Sequence, residues 1–312
     1  MIKQLESSDF ARLFGTTSYD FTEYTREFIA KTNFKYRTLD KRERDAVILD
    51  ILKRIDSDNM ERAGEIRKKS WEKGWSENLE RFINSGYDVS ALVPKYVRPN
   101  QILRLYRDYV MPFDENMEFN FFTVMRLWLF HKYLKNVDAI YEFGCGTGYN
   151  LALMDDLFHG KKLYGLDWSE SAMQILDLLR KIHGMEIQGH LFDMYHPDPD
   201  LKLAENSAVI TIGALEQLGS NNQEFINFLI NKNPEFCIHL EPIYEFYDEN
   251  YLVDYLAARF HKMRNYLSNF LPTLQALEQE NKIKIIETNR MYFGSMFHDG
   301  WSLTVWKPGG KI

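Results

Sequence analysis

Hydrophobic positions divide the chain into two textures. Up to about Tyr133 they recur at three- and four-residue spacings, as in Val47, Leu49, Ile51, Leu52 and Ile55 and again in Trp71, Trp75, Leu79 and Phe82. That period is the stripe an α-helix turns toward a core. Gly86, Pro94, Pro99 and the stretch from Pro112 to Asn116 interrupt it, so residues 1–133 are predicted to form an all-helical N-terminal extension, a cap of four or five helices. From Ala139 short apolar runs alternate with amphipathic segments, the pattern of a parallel sheet with helices on both faces. Strands are predicted at 139–143, 162–166, 186–191, 207–212 and 235–240. A helical insertion follows at 249–280, where Leu252, Leu256, Phe260, Met263, Leu267, Phe270 and Leu274 keep helical spacing. Two last strands, 282–288 and 302–306, are joined without a helix and suit an antiparallel pair. The expected fold is α/β, with a seven-stranded, mostly parallel sheet and an antiparallel last strand in a domain over 134–312.

Composition narrows the function. Of 312 residues, 45% are hydrophobic and 27% charged, which suits a globular protein and excludes general disorder. A net charge of −7 argues against a broad phosphate-binding surface, so a nucleic-acid partner is not expected. Cys145 and Cys237 alone make neither a disulfide framework nor a multi-cysteine zinc site. His and carboxylate residues show no close metal spacing such as His-Glu-x-x-His, and no metal is predicted. The most apolar run, Phe121 to Phe130, contains Arg126 and is shorter than the ~20 residues that span a bilayer. With no signal pattern at the N-terminus, a cytoplasmic location without a membrane partner is the expectation.

The chemistry concentrates in Ala139-Ile140-Tyr141-Glu142-Phe143-Gly144-Cys145-Gly146-Thr147-Gly148-Tyr149-Asn150-Leu151, a strand running into a glycine-rich turn and then a helix. Glycines admit positive φ and let a ligand approach the backbone, while the helix N-terminus offers amides to electron-rich atoms. Glu142, two residues before the first glycine, is placed to accept hydrogen bonds or neutralise an amino group. Asp167 follows the second strand, where an acid grips ribose hydroxyls in dinucleotide folds. Asp193, just beyond the third strand, is placed to meet a nucleobase amino group. Each acid also has a plainer role: Asp167 as a helix N-cap before Trp168-Ser169-Glu170, Asp193 as an ordinary loop acid before Pro197 and Pro199.

Glu142-Phe143-Gly144-Cys145-Gly146-Thr147-Gly148 resembles the glycine motif of class I S-adenosylmethionine (SAM) dependent methyltransferases, and the resemblance extends over roughly Val137 to Lys307. It implies SAM as cofactor, S-adenosylhomocysteine as its product, and methyl transfer to an O, N or C nucleophile. It places Gly144, Gly146 and Gly148 around the methionine part of SAM, Asp167 at the ribose, and Asp193 with Met194 at the adenine. Cys145 within the turn, Trp168 beside Asp167 and Gly213 at the fourth strand end complete the expected cofactor-binding set with Glu142.

The acceptor side is drawn by strand ends alone. Glu216 and Gln217, in the loop after the fourth strand, are candidates for touching the acceptor or simply for starting a helix. Period-two alternation puts His239 and Glu241 on one side of the fifth strand, Glu241 as a candidate base and His239 as a core residue. Arg259-Phe260-His261-Lys262-Met263-Arg264 is either an anion-gripping cluster or a solvated face, Tyr244 to Tyr255 contribute either pocket walls or core, and Trp71 and Trp75 suit either a lid or core packing. The first functional expectation is methyl transfer, mainly by positioning, to a small-molecule acceptor such as a sugar or biosynthetic intermediate. A protein or RNA acceptor and a noncatalytic SAM-binding role are the alternatives. An NAD-dependent oxidoreductase fits less well, because its G-x-G-x-x-G turn requires glycine where Tyr149 stands.

Overall fold

In the computed structural model, which describes residues 2–57, 59–94 and 99–309, the N-terminal region is built from strands as well as helices. It runs β1 (Ile2–Gln4), α1 (Ser7–Leu13), α2 (Glu23–Lys31), β2 (Lys35–Thr38), α3 (Lys41–Ser57), α4 (Lys68–Asn84), β3 (Leu103–Leu105), β4 (Asp108–Pro112) and α5 (Met117–Tyr133). The chain continues through β5 (Ala139–Phe143), α6 (Tyr149–Leu157), β6 (Lys162–Asp167), α7 (Glu170–His183), β7 (Ile187–Leu191), β8 (Ser207–Ile212) and α8 (Gln223–Lys232). It closes with β9 (Phe236–Glu241), α9 (Leu252–Arg264), α10 (Phe270–Gln279), β10 (Ile283–Arg290), β11 (Phe293–Ser295) and β12 (Ser302–Pro308).

The main sheet has the order β10-β12-β9-β8-β5-β6-β7. β9, β8, β5, β6 and β7 pair in parallel, while β12 lies antiparallel between β9 and β10. Alternation along a strand sends successive side chains to opposite faces. In β5, Ile140 joins one core with α5, α6 and α7, whereas Ala139, Tyr141 and Phe143 join another with α8 and α10. The α/β class, the seven strands and the antiparallel last strand are therefore as the sequence predicts.

Two expectations need correction. The N-terminal region is not all-helical, because β1, β2, β4 and β3 form a second sheet completed by β11 from near the C-terminus. These strands are three to five residues long, too short to show a period of two. The β3–β4 hairpin turns through Tyr106 and Arg107 at φ 52° and 63°, without the Asn-Gly signature that such a turn normally carries. The segment 249–280 is also not one helical insertion but two helices. Asn265 and Asn269 both adopt the left-handed conformation, ending α9 and preceding α10, which packs on β10 as a helix of the main sheet.

One hydrophobic core joins the two sheets, running from Tyr36, Leu103, Val110 and Phe293 of the second through α5 to Ile140, Leu163 and Ile238 of the first. From Val124 to Phe130 every residue of α5 is buried, so this stretch is enclosed around its circumference and is apolar except for Arg126. Phe121 stacks on Phe293 of β11 at 3.5 Å, and Phe14 on Trp128 at 5.1 Å. A third cluster packs α3 on α9 through Val47, Ile51, Ile55, Leu256 and Phe260, which accounts for the helical spacing in both segments.

Arg104 of β3, Asp254 of α9, Arg290 of β10 and Asp299 form a buried ionic quartet joining the two sheets. Arg290 donates to Asp254 at 2.6 and 2.7 Å and to Asp299 at 2.7 Å, and Arg104 meets both acids at 3.1–3.2 Å. Burial opposes the charge on Asp254, but Arg290 and Arg104 outweigh it and hold the carboxyl below its usual range. This contribution is therefore present above the ordinary carboxylate pKa of ~3.9 and is lost as pH falls through the lower native value. Asp254→Asn should cost about 3–5 kcal/mol in urea unfolding, because it strands buried positive charge. Arg259→Ala, which breaks an exposed pair with Asp56, should cost less than ~1 kcal/mol by the same measurement.

Candidate cofactor and acceptor sites at the strand ends

The strand order reverses at β5, whose neighbours β6 and β8 lead away on opposite sides, so a crevice opens at the carboxyl ends of these strands. The glycine turn forms its floor, with φ 71° at Gly144, 52° at Gly146 and 70° at Gly148. A β-carbon on Gly144 would fall 2.3 Å from that of Ala214, and one on Gly146 would fall 2.7 Å from the ring of Trp75. Glycine is thus required by the loop after β8 on one side and by α4 on the other. The amides of Gly144 and Cys145 donate to Leu166 O at 2.7 and 3.2 Å, tying the turn to the end of β6. The Cys145 thiol is buried, and burial raises its pKa, so it is an inert packing group.

The acids predicted from the strand ends converge on this crevice. Asp167 accepts from the amides of Gly146 (2.9 Å) and Ser169 (3.0 Å), while burial pushes its carboxyl up to about 6. Glu142 accepts from Asn150 Nδ2 at 2.6 Å through Oε1, and its buried Oε2 has no partner among the described residues. Burial pushes Glu142 up to about 8, so a cation beside Oε2 would restore its charged form. Asp193 takes the Tyr195 amide at 3.0 Å and the Lys68 ammonium at 2.6 Å. Trp168, Phe192 and Met194 supply apolar surface between these acids.

Helix α4 lies across the crevice. Trp71 and Trp75, one turn apart, stack at 5.1 Å over the glycine turn. Arg67 Nη1 and Trp71 Nε1 donate to Gln217 Oε1 at 2.9 and 3.2 Å, and Glu72 accepts from the hydroxyls of Ser169 and Ser171 at 2.7 and 2.5 Å. Beneath the helix lie spaces of about 50 Å³ beside Asp167 and about 40 Å³ beside Glu142. Ligand pockets are ~300 Å³ or larger, so neither space would hold a nucleoside while α4 lies across it. Glu65, Asp193 and His196 bring ligand atoms within 4.8 Å of one another, but Lys68 already bridges the two carboxylates.

On the acceptor side, Gly213 ends β8 at φ 61° and lines both small spaces and a third cavity of about 380 Å³. Glu216 faces this larger cavity, whereas Gln217 lines the space beside Asp167. Glu241, a candidate base by sequence, is fully buried behind the loop and accepts from the amides of Ala214, Leu215 and Glu216 at 3.1–3.2 Å. Trp306 Nε1 donates to His239 Nε2 at 3.0 Å, which leaves the ring proton on Nδ1, 2.9 Å from Thr211 Oγ1. Thr211 in turn donates to Glu241. Burial lowers His239 to about 3, making it a neutral core link in a chain that steadies the 214–216 loop. Burial, with Glu241 nearby, pushes Glu216 up to about 8. Burial raises Glu241 as well, to about 7, but its amide and Thr211 donors hold it below Glu216, so Glu216 is the member of the pair that keeps its proton longer as pH rises.

Sequence reasoning did not bring Arg67, Lys68, Glu72, Glu118 or Trp301 to these sites. The basic cluster divides: Arg259 and Lys262 make exposed pairs with Asp56 and Glu249, His261 is buried, and Arg264 turns toward the larger cavity. Tyr251 and Tyr255 are exposed, and Tyr247 packs against Arg290 of the ionic quartet, so this aromatic run does not wall the site. Among the described residues no helix is long and apolar enough to cross a membrane.

No family model matches the chain, and no curated protein matches it. Solved structures similar to it include the [4+2]-cyclase SpnF, at 13% identity and TM-score 0.43 over 56% of this chain and 76% of that one. The CcbJ methyltransferase from Streptomyces caelestis is similar at 14% identity and TM-score 0.42 over 58% and 87% of the two chains. Human N-acetylserotonin methyltransferase, solved with SAM, is similar at 12% identity and TM-score 0.38 over 62% and 56%. The strand order and antiparallel β12 fit the class I methyltransferase family that the glycine motif resembles.

If α4 must move for a nucleoside to enter, adding S-adenosylhomocysteine should change the tryptophan emission of the wild type. The Trp71→Phe, Trp75→Phe double variant should lose most of that change.

Proposed function

We propose that the protein is a SAM-dependent methyltransferase acting on a small-molecule acceptor. The observation that carries this reading is the pair of buried acids on neighbouring strand ends beside the glycine turn, Asp167 and Glu142 with its unpartnered Oε2. When bound, SAM supplies a methyl group on a positively charged sulfur. Glu142 Oε2 would hold the ammonium of its methionine part, and Asp167 would accept from the ribose hydroxyls while keeping its bonds to the turn. Trp168, Phe192 and Met194 offer apolar surface for adenine, with Asp193 accepting its amino group as Lys68 withdraws. Gly144 and Gly146 allow the close approach that the turn requires.

The acceptor would sit in the larger cavity, with its nucleophile toward the Gly213–Glu216 loop. Positioning there, with water excluded by Trp71, is the main contribution asked of the protein. Glu216, whose Oε1 accepts from Gln217 at 2.8 Å, would take the acceptor's proton on Oε2. With its pKa raised to about 8, Glu216 would act as the base in its ionised form, whose share grows as pH rises above neutral. A cavity of about 380 Å³ lined on several sides favours a small acceptor over a protein or RNA strand.

Calorimetry should show S-adenosylhomocysteine binding that Asp167→Ala weakens at least tenfold, about 1.4 kcal/mol, with no comparable binding of NAD. Absence of binding, or indifference to Asp167, would remove the proposal. With an acceptor in hand, kcat should rise with pH through about 8 as Glu216 ionises. Glu216→Gln should flatten that rise and slow turnover by ~10²–10⁴.

A further inference from the structure

The acceptor-side cavity has a charge problem of its own. It adjoins the covered crevice along Trp71 and Gly213, which line both, and its volume of about 380 Å³ lies within the ~300–1,000 Å³ of small-molecule pockets. One wall is aromatic, with the rings of Phe122 and Trp301 3.7 Å apart. The other carries Arg67 and Arg264.

Arg264 is the last residue of α9, and among the described residues it makes no ion pair. Its guanidinium lies 4.9 Å from the Tyr266 ring and 6.0 Å from that of Phe260. Nη1 reaches only Met60 Sδ at 3.8 Å, and the buried Nε has no partner among the described residues. Arg67 donates to Gln217, meets Glu61 at 3.4 Å, hydrogen-bonds Tyr266 and packs 4.8 Å from the Trp71 ring, so it is the secondary partner here. A guanidinium with an unmet buried donor favours an oxyanion, which it can take through two parallel bonds.

The acids facing the cavity offset this charge only in part at neutral pH. Glu118, in the first turn of α5, has no hydrogen bond among the described residues, and burial pushes its carboxyl up to about 7. Glu216 is likewise pushed up, and burial with Arg104 and Arg264 nearby lowers His298 to about 3, leaving it neutral. Tyr266 is raised by burial and stays neutral. The fixed charges at neutral pH are therefore the arginines.

From the unpaired Arg264, its neighbour Arg67 and the aromatic wall opposite, we infer that this cavity takes a small organic acid. This inference rests on the methyltransferase reading and names the acceptor's class. The carboxylate or phosphate sits on Arg264 and Arg67, the body lies along Trp301 and Phe122, and the nucleophile points to the Gly213–Glu216 loop. Glu118 closes the cavity with a carboxyl that can donate to a further polar group.

The test measures Kd by ligand-observed NMR for matched probes: benzoate against benzamide, glucuronate against glucose, and glucose 6-phosphate against glucose. Protein is used alone and saturated with S-adenosylhomocysteine. At least one acid should bind tenfold or more tightly than its neutral partner, the carboxylate and phosphate arms identifying which oxyanion is preferred. Arg264→Gln should erase the difference in protein with an unchanged urea midpoint. Should that variant fail to fold, Arg67→Gln is held to the same criterion. No acid preference in any pair, or a preference that survives the substitution, overturns the inference. Failure to bind S-adenosylhomocysteine while the acid preference holds would instead count against the methyltransferase reading.

Discussion

The buried quartet of Arg104, Asp254, Arg290 and Asp299 is the contact on which the rest of the architecture depends. It draws together a strand of the second sheet, the helix after β9, an outer strand of the main sheet and the turn before Trp301. Two buried arginines and two buried acids offset one another there, with half-buried Arg107 adding a contact to Asp254 at 3.4 Å, and each acid meets both buried arginines, which is the condition under which buried charge is tolerated. His298, Gly300 and Trp301 flank Asp299 in the chain and line the acceptor-side cavity, so the same contact sets one wall of that cavity. A network that satisfied only one arginine would leave both the sheet junction and the cavity wall loose.

On this frame, helix α4 divides the space at the strand ends. Trp71 touches the crevice beside Asp167, the space beside Glu142 and the larger cavity, and its indole nitrogen is anchored to Gln217. A side chain shared in this way couples the two sites mechanically: whatever lifts α4 to fill the crevice also reshapes the cavity. Lys68 on Asp193 and Glu72 on the start of α7 give the cover polar latches that water or a ligand can replace.

The glycine turn was legible in the sequence because its signal is local: a strand, three glycines at alternate positions and a helix. Asp167 and Asp193 were legible as strand ends, and the alternating pattern identified the main-sheet strands to within a residue or two. The second sheet was not, because its strands are short, its hairpin turns through Tyr106 and Arg107, and β11 joins it from almost two hundred residues away. Helical spacing over 249–280 concealed the break at Asn265 and Asn269, since both helices bury faces that continue the same period. Alternation placed Glu241 on a face but could not show that the amides of residues 214–216 would consume its carboxylate. Arg67, Lys68 and Glu72 carry no local signal in the sequence, and only the tertiary position of α4 and the turn before it brings them to Gln217, Asp193 and Ser169.

Hydrogen exchange with and without S-adenosylhomocysteine tests most directly whether the strand ends and α4 form one cofactor site. The account predicts slowed exchange at 142–150, 167–169 and 192–195, together with altered exchange along 68–84 as α4 resettles on the ligand. Unchanged exchange in all these segments at saturating ligand, or protection confined to other parts of the chain, would contradict it.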